Sequence, residues 1–187
     1  MAAHLPPSGR PLLPEDIDRG FERGTLFECS AYRLELLDWY TSPATDRRLA
    51  RFLDGEKVTA AERASWLATV RNARAAGATM SRVHVVAEPL SDYLRYELNC
   101  YESSVAAGED IRILPVGLAA GLGLPSFDYW LFDDERVAVQ HYGERGAWLG
   151  ASLVTDRAFV ESCRRWRDMA LSRATPLDAY MADRSAA

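Results

Sequence analysis

His84 is the side chain of this sequence whose type and position best suit chemistry. It lies in the alternating run 82–87, which predicts a β-strand. An imidazole at the end of a parallel strand can carry a proton or contact a ligand, because α/β sheets bind ligands there and histidine titrates near neutral pH. The alternative interpretation is a half-buried histidine that is hydrogen-bonded to a neighbouring strand or to a carboxylate. The sequence leaves both interpretations open.

Four charged residues near that strand are further candidates for ligand contacts. They are Glu88, Asp92, Arg95 and Arg112. The segment 88–92 predicts a turn into a helix, whose N-terminal amides can attract an anion or be capped by Ser91 or Asp92. Arg95 can pair with Asp92, three residues before it, or reach a bound anion. Gathered in one cleft with His84, the two carboxylates and Arg112 would suit a hydrolase or a nuclease.

Trp130, His141 and Tyr142 are candidates for the wall of a ligand pocket. Trp130 falls on a predicted strand, 127–132, and the pair His141-Tyr142 ends the next strand. With Trp148 they would form the aromatic surface that ligand sites favour. The simpler interpretation is an aromatic sheet face that the last helix covers.

Two acidic pairs, Glu109-Asp110 and Asp133-Asp134, raise the question of a metal site. If they converged, their carboxylates would supply the hard oxygen ligands of a divalent cation that activates water. Their spacing does not require convergence, and acidic residues are ordinary in turns. The glycine-rich stretch 117–123 does not follow G-x-G-x-x-G, and no nucleophile-elbow, H-E-x-x-H or P-loop motif is present. We therefore assign no catalytic residue, no metal and no cofactor.

Composition restricts the partner and the compartment. A formal net charge of −5 and a pI near 5.3 argue against sequence-independent electrostatic binding to nucleic acid. No apolar run approaches the about 20 residues that a membrane-spanning helix needs. The three cysteines follow neither metal-binding nor disulfide spacing, which suits a reducing compartment. The sequence therefore predicts a cytoplasmic protein with no membrane and no direct nucleic-acid partner.

The elements that would position these residues can be read from periodicity and turn signals. Strands are predicted at 32–40, 82–87, 110–115, 127–132, 137–142 and 148–154, and helices at 13–23, 46–53, 59–76, 90–101 and after Asp156. A helical connection makes 82–87 and 110–115 parallel, whereas the three later strands form antiparallel hairpins. The predicted fold class is α/β (α+β mixed), with a single mixed sheet of five to six strands flanked by helices. We expect a flexible leader at 1–12 and one domain at 13–183.

Several stretches resemble an uncharacterised actinobacterial family. They are RVHVVAEPLSDYLRYEL at 82–98, GEDIR at 108–112, WLFDD at 130–134 and RWRDMA at 165–170. The resemblance covers 27–180 and points to a domain of unknown function that is often encoded beside helix-turn-helix regulators in Streptomyces-like genomes. It implies a regulatory setting and supplies no reaction.

A second resemblance concerns architecture. The order of elements over 82–173 is similar to one half of a phospholipase D-like domain, and to ligand-sensing domains of some helix-turn-helix regulators. Phospholipase D-like catalysts carry His-x-Lys-x4-Asp. If Asp134 matches that aspartate, Phe127 and Tyr129 stand at the histidine and lysine positions. The resemblance then implies a fold without the phosphoryl-transfer site.

The leading hypothesis is a non-catalytic regulatory module that binds a partner protein, such as a helix-turn-helix regulator, or a small effector. The arginines of the last helix and the hairpin edge near Tyr142 are the expected interfaces with a partner. The rival hypothesis is a metal-dependent hydrolase or nuclease that acts as a toxin-like component. The oligomeric state is open.

Overall fold

One mixed β-sheet runs through the computed structural model, which describes residues 6–185. In chain order its strands are β1 (Arg10–Leu12), β2 (Ser30–Glu35), β3 (Thr79–Val86), β4 (Asp110–Pro115), β5 (Tyr129–Phe132), β6 (Arg136–Tyr142), β7 (Trp148–Val154) and β8 (Thr175–Pro176). Their order across the sheet is β1-β7-β6-β5-β2-β3-β4-β8. The predicted mixed α/β fold is confirmed, but the described residues form eight strands and not five to six.

The two strands that the sequence did not predict are short and lie at the edges of the sheet. β1 pairs with β7, and β8 pairs with β4. Neither is long enough to show a period-2 alternation. The segment Arg10–Leu12 therefore belongs to the sheet, although the sequence assigned it to a flexible leader. The first five residues of that expected leader lie outside the described residues.

Helices flank this sheet on both faces. They are α1 (Pro14–Glu22), α2 (Pro43–Leu53), α3 (Ala64–Ala75), α4 (Asp92–Ala107), α5 (Val116–Ala119), α6 (Arg157–Arg173) and α7 (Leu177–Ser185). Within the described residues, no helix is both long and apolar enough to span a membrane. The helix after Asp156, predicted to be the last, is followed by β8 and α7.

Side chains cap the starts of several helices, including the predicted cap of the helix after residue 88. Ser91 caps α4, since its hydroxyl accepts a hydrogen bond from Leu94 N at 3.1 Å. Asp156 caps α6 in the same way by accepting from Phe159 N at 2.8 Å. A capping box formed by Thr59 and Glu62 opens a short 3-10 turn, Ala60–Arg63, immediately before α3.

The centre of the sheet is parallel and one side of it is antiparallel. β2, β3 and β4 are parallel neighbours. This confirms the predicted parallel orientation of β3 and β4. α4 makes the crossover between them. β5 joins β2 in antiparallel orientation, and β5, β6 and β7 form the predicted hairpins.

β2 ends before Leu36, although the sequence predicts a strand as far as residue 40. Leu36 N donates to the carboxylate of Asp128 at 3.0 Å, and Leu37 N donates to Tyr40 OH at 3.2 Å. Leu37 O lies 3.0 Å from His84 Nε2. Because these backbone groups bond to side chains, they do not continue the ladder of the sheet.

The two faces of the sheet differ in polarity. α6 packs against an apolar face that includes Leu34. The opposite face carries two apolar clusters, one with side chains from α1 and α3 and the other with side chains from α2, α4 and α7. Between these clusters stand Arg33 and Glu35 of β2 beside Arg82 and His84 of β3. A band of polar side chains therefore divides the core on this face.

Asp133, in the turn between β5 and β6, holds the start of β2. Its carboxylate accepts hydrogen bonds from the backbone amides of Glu28, Cys29 and Ser30 at distances between 2.7 and 3.1 Å. Burial would raise the pKa of Asp133, but these amides and Arg136 hold it below its ordinary value. The contribution of this carboxylate to stability is therefore complete above the ordinary pKa of 3.8 and is lost as the pH falls through the lower folded-state value.

We expect Asp133→Asn to lower the free energy of unfolding by about 1–3 kcal/mol at neutral pH, because the amides lose an ionised acceptor. Asparagine tolerates the φ of 53° at this position, so backbone strain stays small. Urea unfolding at decreasing pH measures the effect, and the difference from wild type should shrink in acid. Asp134→Asn is the matched control, since its φ is 60° and its carboxylate forms ion pairs with Arg164 and Arg167. Equal losses in both variants would contradict the role of Asp133.

Candidate functional site

Side chains from three adjacent strands form a row across the sheet. Arg33 on β2 lies opposite Arg82 on β3 and opposite Trp130 on β5. In the next row, Glu35 lies opposite His84. Side chains two residues apart on a strand point to the same face, so all five share one face of the sheet. The alternation of β2 and β3 therefore places two arginines, a carboxylate and an imidazole in the interior.

Arg82 is the centre of a buried ionic network. Its Nε lies 2.8 Å from Glu109 Oε1, and its Nη1 lies 2.7 Å from Glu35 Oε2. Tyr101 donates its hydroxyl to the same Glu35 oxygen at 2.8 Å. The exposed fraction is 6% for Arg82, 3% for Glu35 and 2% for Glu109. The charges of Glu35 and Glu109 are therefore compensated by ion pairs and hydrogen bonds within the protein, since solvent does not reach them.

The ionisation of this network is fixed near neutral pH. Burial would raise the pKa of Glu35, but Arg33 and Arg82 hold it well below its ordinary value. Burial would lower the pKa of Arg82, but Glu109 and Glu35 raise it well above its ordinary value. These groups therefore keep their charges under physiological conditions and act as fixed electrostatic elements.

His84 lies behind this network and has no exposed surface. Its Nε2 lies 3.0 Å from Leu37 O, and since a carbonyl only accepts, this nitrogen carries a hydrogen. Its Nδ1 lies 2.9 Å from Tyr101 OH. The same hydroxyl donates to Glu35 Oε2, so it contacts both the imidazole and the carboxylate. His84 thus ties the end of β2 to α4.

Some N–H donors of the Arg33 guanidinium make no hydrogen bond with residues 6–185 of the protein. Its Nε is 2.8 Å from Glu35 Oε1, yet this buried N–H is not directed at the carboxylate and has no hydrogen-bond partner in the described part of the chain. Its Nη2 donates to Tyr142 OH at 3.1 Å, while Nη1 has no partner among the described residues. The guanidinium carbon lies 5.3 Å from the ring centre of Trp130 and 5.9 Å from that of Tyr40. Burial would lower its pKa, but Glu35 raises it, so Arg33 stays charged.

Asp128 anchors two tyrosines at the edge of this region. Its carboxylate accepts hydrogen bonds from Tyr40 OH, from Tyr142 OH at 3.1 Å and from Leu36 N at 3.0 Å. Burial is the main reason that the pKa of Asp128 lies above its ordinary value. Burial also raises the pKa of both tyrosines. The two phenols therefore stay protonated near neutral pH.

A cavity of about 280 Å³ opens above the row formed by Arg33, Arg82 and Trp130. Its aromatic lining consists of Phe21, Tyr40, Trp66, Tyr93, Trp130, Tyr142 and Trp148. Its charged lining consists of Asp18, Arg33, Glu35, Arg63, Arg82 and Glu97, so that positive and negative charges are equal in number. An adjacent groove of about 420 Å³ shares Asp18, Phe21, Arg63 and Trp66 with the cavity. Aromatic walls with a few convergent polar groups are typical of small-molecule sites.

Comparison with known proteins establishes the family of the chain. The family described as "Domain of unknown function (DUF6879)" matches residues 16–182. The chain belongs to the DUF6879 family. The predicted membership of an uncharacterised family is thereby confirmed, and no curated protein matches the chain.

Two of the candidate residues chosen from the sequence line the cavity of this DUF6879 domain. Trp130 forms part of the floor beside Arg33, and Tyr142 is bonded to both Arg33 and Asp128. His84 does not line the cavity but is connected to Glu35 through Tyr101.

The other five candidates do not line this cavity and are engaged elsewhere. Glu88 accepts hydrogen bonds from Tyr180 OH and Arg184. Asp92 forms an ion pair with Arg95, and Arg112 forms one with Asp110. His141 Nε2 lies 2.8 Å from Ser152 Oγ. The (i, i+3) pair of Asp92 and Arg95 on α4 is one of the two arrangements that the sequence allowed. The cleft that would gather His84, Glu88, Asp92 and Arg112 is not formed. Arg112 lies opposite Val83 and therefore on the other face of the sheet from His84, while Glu88 and Asp92 form exposed ion pairs.

The two acidic pairs do not converge. Glu109 is buried against Arg82 and Trp66, whereas Asp110 is exposed and paired with Arg112. Asp133 and Asp134 bind backbone amides and the arginines of α6, respectively. Within the described residues, no group of three or more histidine, cysteine, aspartate or glutamate side chains is arranged to hold a metal ion.

The central residues of the cavity floor were not among the sequence candidates. They are Arg33, Glu35 and Arg82, supported by Asp128 and Tyr40. A signal for the first three was present: polar residues alternate along two strands that lie in the middle of a sheet. Helices cover both faces of such strands, so their polar side chains must be buried and must find partners.

His84→Ala is expected to lower the free energy of unfolding by about 2–3 kcal/mol, because it leaves Leu37 O without its partner and a gap beside Tyr101 OH, which keeps Glu35. Chemical unfolding followed by tryptophan fluorescence measures this loss. The matched control is His141→Ala, whose imidazole is exposed and bonded to Ser152. We expect that variant to stay within about 0.5 kcal/mol of wild type. An unchanged stability of His84→Ala would show that the imidazole does not support the fold.

Proposed function

We propose that this DUF6879 domain is a non-catalytic module that binds a small effector in the cavity above Arg33. The cavity itself carries the proposal. It combines a concave aromatic lining with a floor of charged groups whose positions are fixed by ion pairs and hydrogen bonds. Pre-organised polar groups of this kind give a ligand its orientation and its specificity.

The charge states of Arg33, Glu35 and Arg82 on the cavity floor favour binding over proton transfer. A general acid or base works best when its pKa lies near the operating pH. The pKa of Glu35 lies well below neutrality, and those of Arg33 and Arg82 lie well above it. These groups can hold a ligand but are poorly matched to exchange protons with it.

The rival hypothesis, a metal-dependent hydrolase or nuclease with a toxin-like role, receives less support from the geometry. It needs His84 in contact with substrate, and His84 has no exposed surface. It also needs Asp92 and Arg112 near that imidazole, and each of them is paired at the surface.

The setting of the module is also a proposal. The resemblance to an actinobacterial family suggests a helix-turn-helix regulator as the protein that responds to the effector, in the cytoplasm. The phospholipase D-like resemblance stays a prediction. Among the expected partner surfaces, three arginines of α6 form ion pairs: Arg164 and Arg167 pair with Asp134, and Arg165 pairs with Glu161.

Saturation-transfer NMR of the full chain with a mixture of acidic, basic and neutral aromatic fragments tests the proposal. We expect binding in the millimolar range or tighter. Thr45→Phe, which places a ring at the lining of the cavity, should abolish it. Ser172→Phe is the matched control, because Ser172 is exposed on α6, which packs on the opposite face of the sheet. No fragment binding, or binding that Thr45→Phe leaves unchanged, would overturn the proposal.

A further inference from the structure

We propose that the ligand of the cavity is a monocarboxylate attached to an aromatic ring, and that Arg33 binds its carboxylate. This inference rests on the proposed function, since it names the class of ligand for the same cavity. It follows from three features of the lining: the unused donors of Arg33, the charge balance and the aromatic walls.

The first feature is an excess of hydrogen-bond donors on the floor. Glu35 Oε1 faces Arg33 Nε, and Glu35 Oε2 accepts from Arg82 and Tyr101. Oε2 thus accepts two hydrogen bonds, and Oε1 is ion-paired with Arg33 Nε without a hydrogen bond from it. Arg33 Nη1, by contrast, has no partner in the described part of the chain, and Nε donates no hydrogen bond. Because Nε is buried, a ligand that supplies acceptor oxygens would bond Nη1 and the second hydrogen of Nη2.

The second feature is the charge of the surroundings, which favours one negative charge over two. Guanidinium is planar and binds a carboxylate through two parallel hydrogen bonds. The nearby carboxylates Asp18, Glu35 and Glu97 line the same cavity and would repel a dianion such as a phosphate monoester more strongly. A single carboxylate therefore matches both the geometry and the charge.

A cationic ligand would need aromatic faces that are free to receive it. The guanidinium of Arg33 already lies 5.3 Å from the ring centre of Trp130 and 5.9 Å from that of Tyr40. These two rings therefore interact with a cation of the protein itself. A ligand cation beside them would meet the charge of Arg33, so the lining disfavours it.

The third feature is the aromatic wall and the size of the cavity. Trp66, Tyr93 and Trp148 line the cavity together with the rings that contact Arg33. Aromatic pairs in offset or edge-to-face arrangement stabilise a bound ring. The cavity volume of about 280 Å³ equals that of about nine molecules of liquid water. This space accommodates one ring with a short arm that carries the carboxylate.

Isothermal titration calorimetry of the full chain with four matched probes tests the inference. Phenylacetate carries one negative charge, phenylacetamide is its neutral analogue, benzylamine is cationic and phenyl phosphate is close to a dianion at neutral pH. We expect phenylacetate to bind at least about tenfold more tightly than each of the others, the factor that one charge-assisted hydrogen bond supplies.

Two variants assign this preference to Arg33. Arg33→Gln should remove the preference for phenylacetate over phenylacetamide, and it should fold because Glu35 keeps Arg82 and Tyr101 as partners. Arg112→Gln is the control, since Arg112 is paired with Asp110 at the surface and does not line the cavity. This second variant should keep the preference. A thermal-unfolding scan of both variants checks that they are folded.

The other outcomes separate the inference from the proposed function. If the neutral, cationic or dianionic probe binds as tightly as phenylacetate and Thr45→Phe abolishes that binding, the ligand class is wrong and the cavity still binds small molecules. If Arg33→Gln keeps the preference for phenylacetate, the role of Arg33 is wrong. If no probe and no aromatic fragment binds wild-type protein, the inference and the proposed function both fail.

Discussion

Arg82→Met is expected to lower the free energy of unfolding by about 3–5 kcal/mol, the usual result of removing one partner from a buried ion pair. Methionine keeps much of the length of the arginine stem but leaves two buried carboxylates without their shared cation. Glu109 keeps only the indole N–H of Trp66, at 3.2 Å, and Glu35 keeps Arg33 and Tyr101. Urea or guanidinium unfolding at neutral pH measures the loss.

The matched control for this prediction lies on the neighbouring strand. Arg112 on β4 also forms an ion pair, with Asp110 at 3.1 Å, but both side chains are partly exposed. Arg112→Met should therefore change the free energy of unfolding by less than about 1 kcal/mol. Adding Glu109→Gln to Arg82→Met should restore part of the stability, because it removes the buried negative charge that lost its partner arginine. Similar losses for both arginine variants would mean that solvent reaches the Arg82 network.

The general course of the chain was predictable because its longer elements have clear periodicity and turn signals. β3 and β4 with the crossover helix α4, and the β5–β6–β7 hairpins, follow from alternation, caps and acidic turns. The edge strands β1 and β8 are too short to show a period. Their pairing depends on contacts with β7 and β4, which are distant in sequence, so local patterns do not indicate it.

The site was harder to predict than the fold, because its residues are brought together by the register of the sheet. Arg33 and Arg82 lie far apart in sequence and become neighbours only when β2 pairs in parallel with β3. The end of β2 depends on Asp128, whose carboxylate binds Leu36 N and orients Tyr40. A histidine attracts attention for its chemistry, yet in this structure His84 supports the fold from behind the cavity.

The aromatic candidates illustrate how one side chain can satisfy two interpretations. The sequence offered a choice between a pocket wall and a sheet face filled by packing. Trp130 lines the cavity and is also 2% exposed, with its ring centre 4.9 Å from that of Phe21 and 6.1 Å from that of Trp66. The helices that cover it are α1 and α3; the expected cover was the helix after Asp156, which packs on the opposite face.

Trp130→Ala should lower the free energy of unfolding by about 3–5 kcal/mol, the usual range for truncating a buried large aromatic residue. The substitution removes the ring that Phe21 and Trp66 pack against, and it exposes the guanidinium of Arg33 on one side. Guanidinium unfolding followed by far-ultraviolet circular dichroism measures the loss, since this readout does not depend on the removed indole.

Trp148→Ala provides the comparison that separates a packing residue from a wall residue. Trp148 lines the same cavity but is only half-buried, and its indole N–H donates to Gly150 O at 3.1 Å. Its truncation should lower the free energy of unfolding by about 1 kcal/mol, since less apolar surface is lost. A loss below about 1 kcal/mol for Trp130→Ala would contradict its place in the core. The cluster formed with α1 and α3 would then contribute little to holding the cavity over Arg33, and the cavity would owe its shape to the ionic network alone.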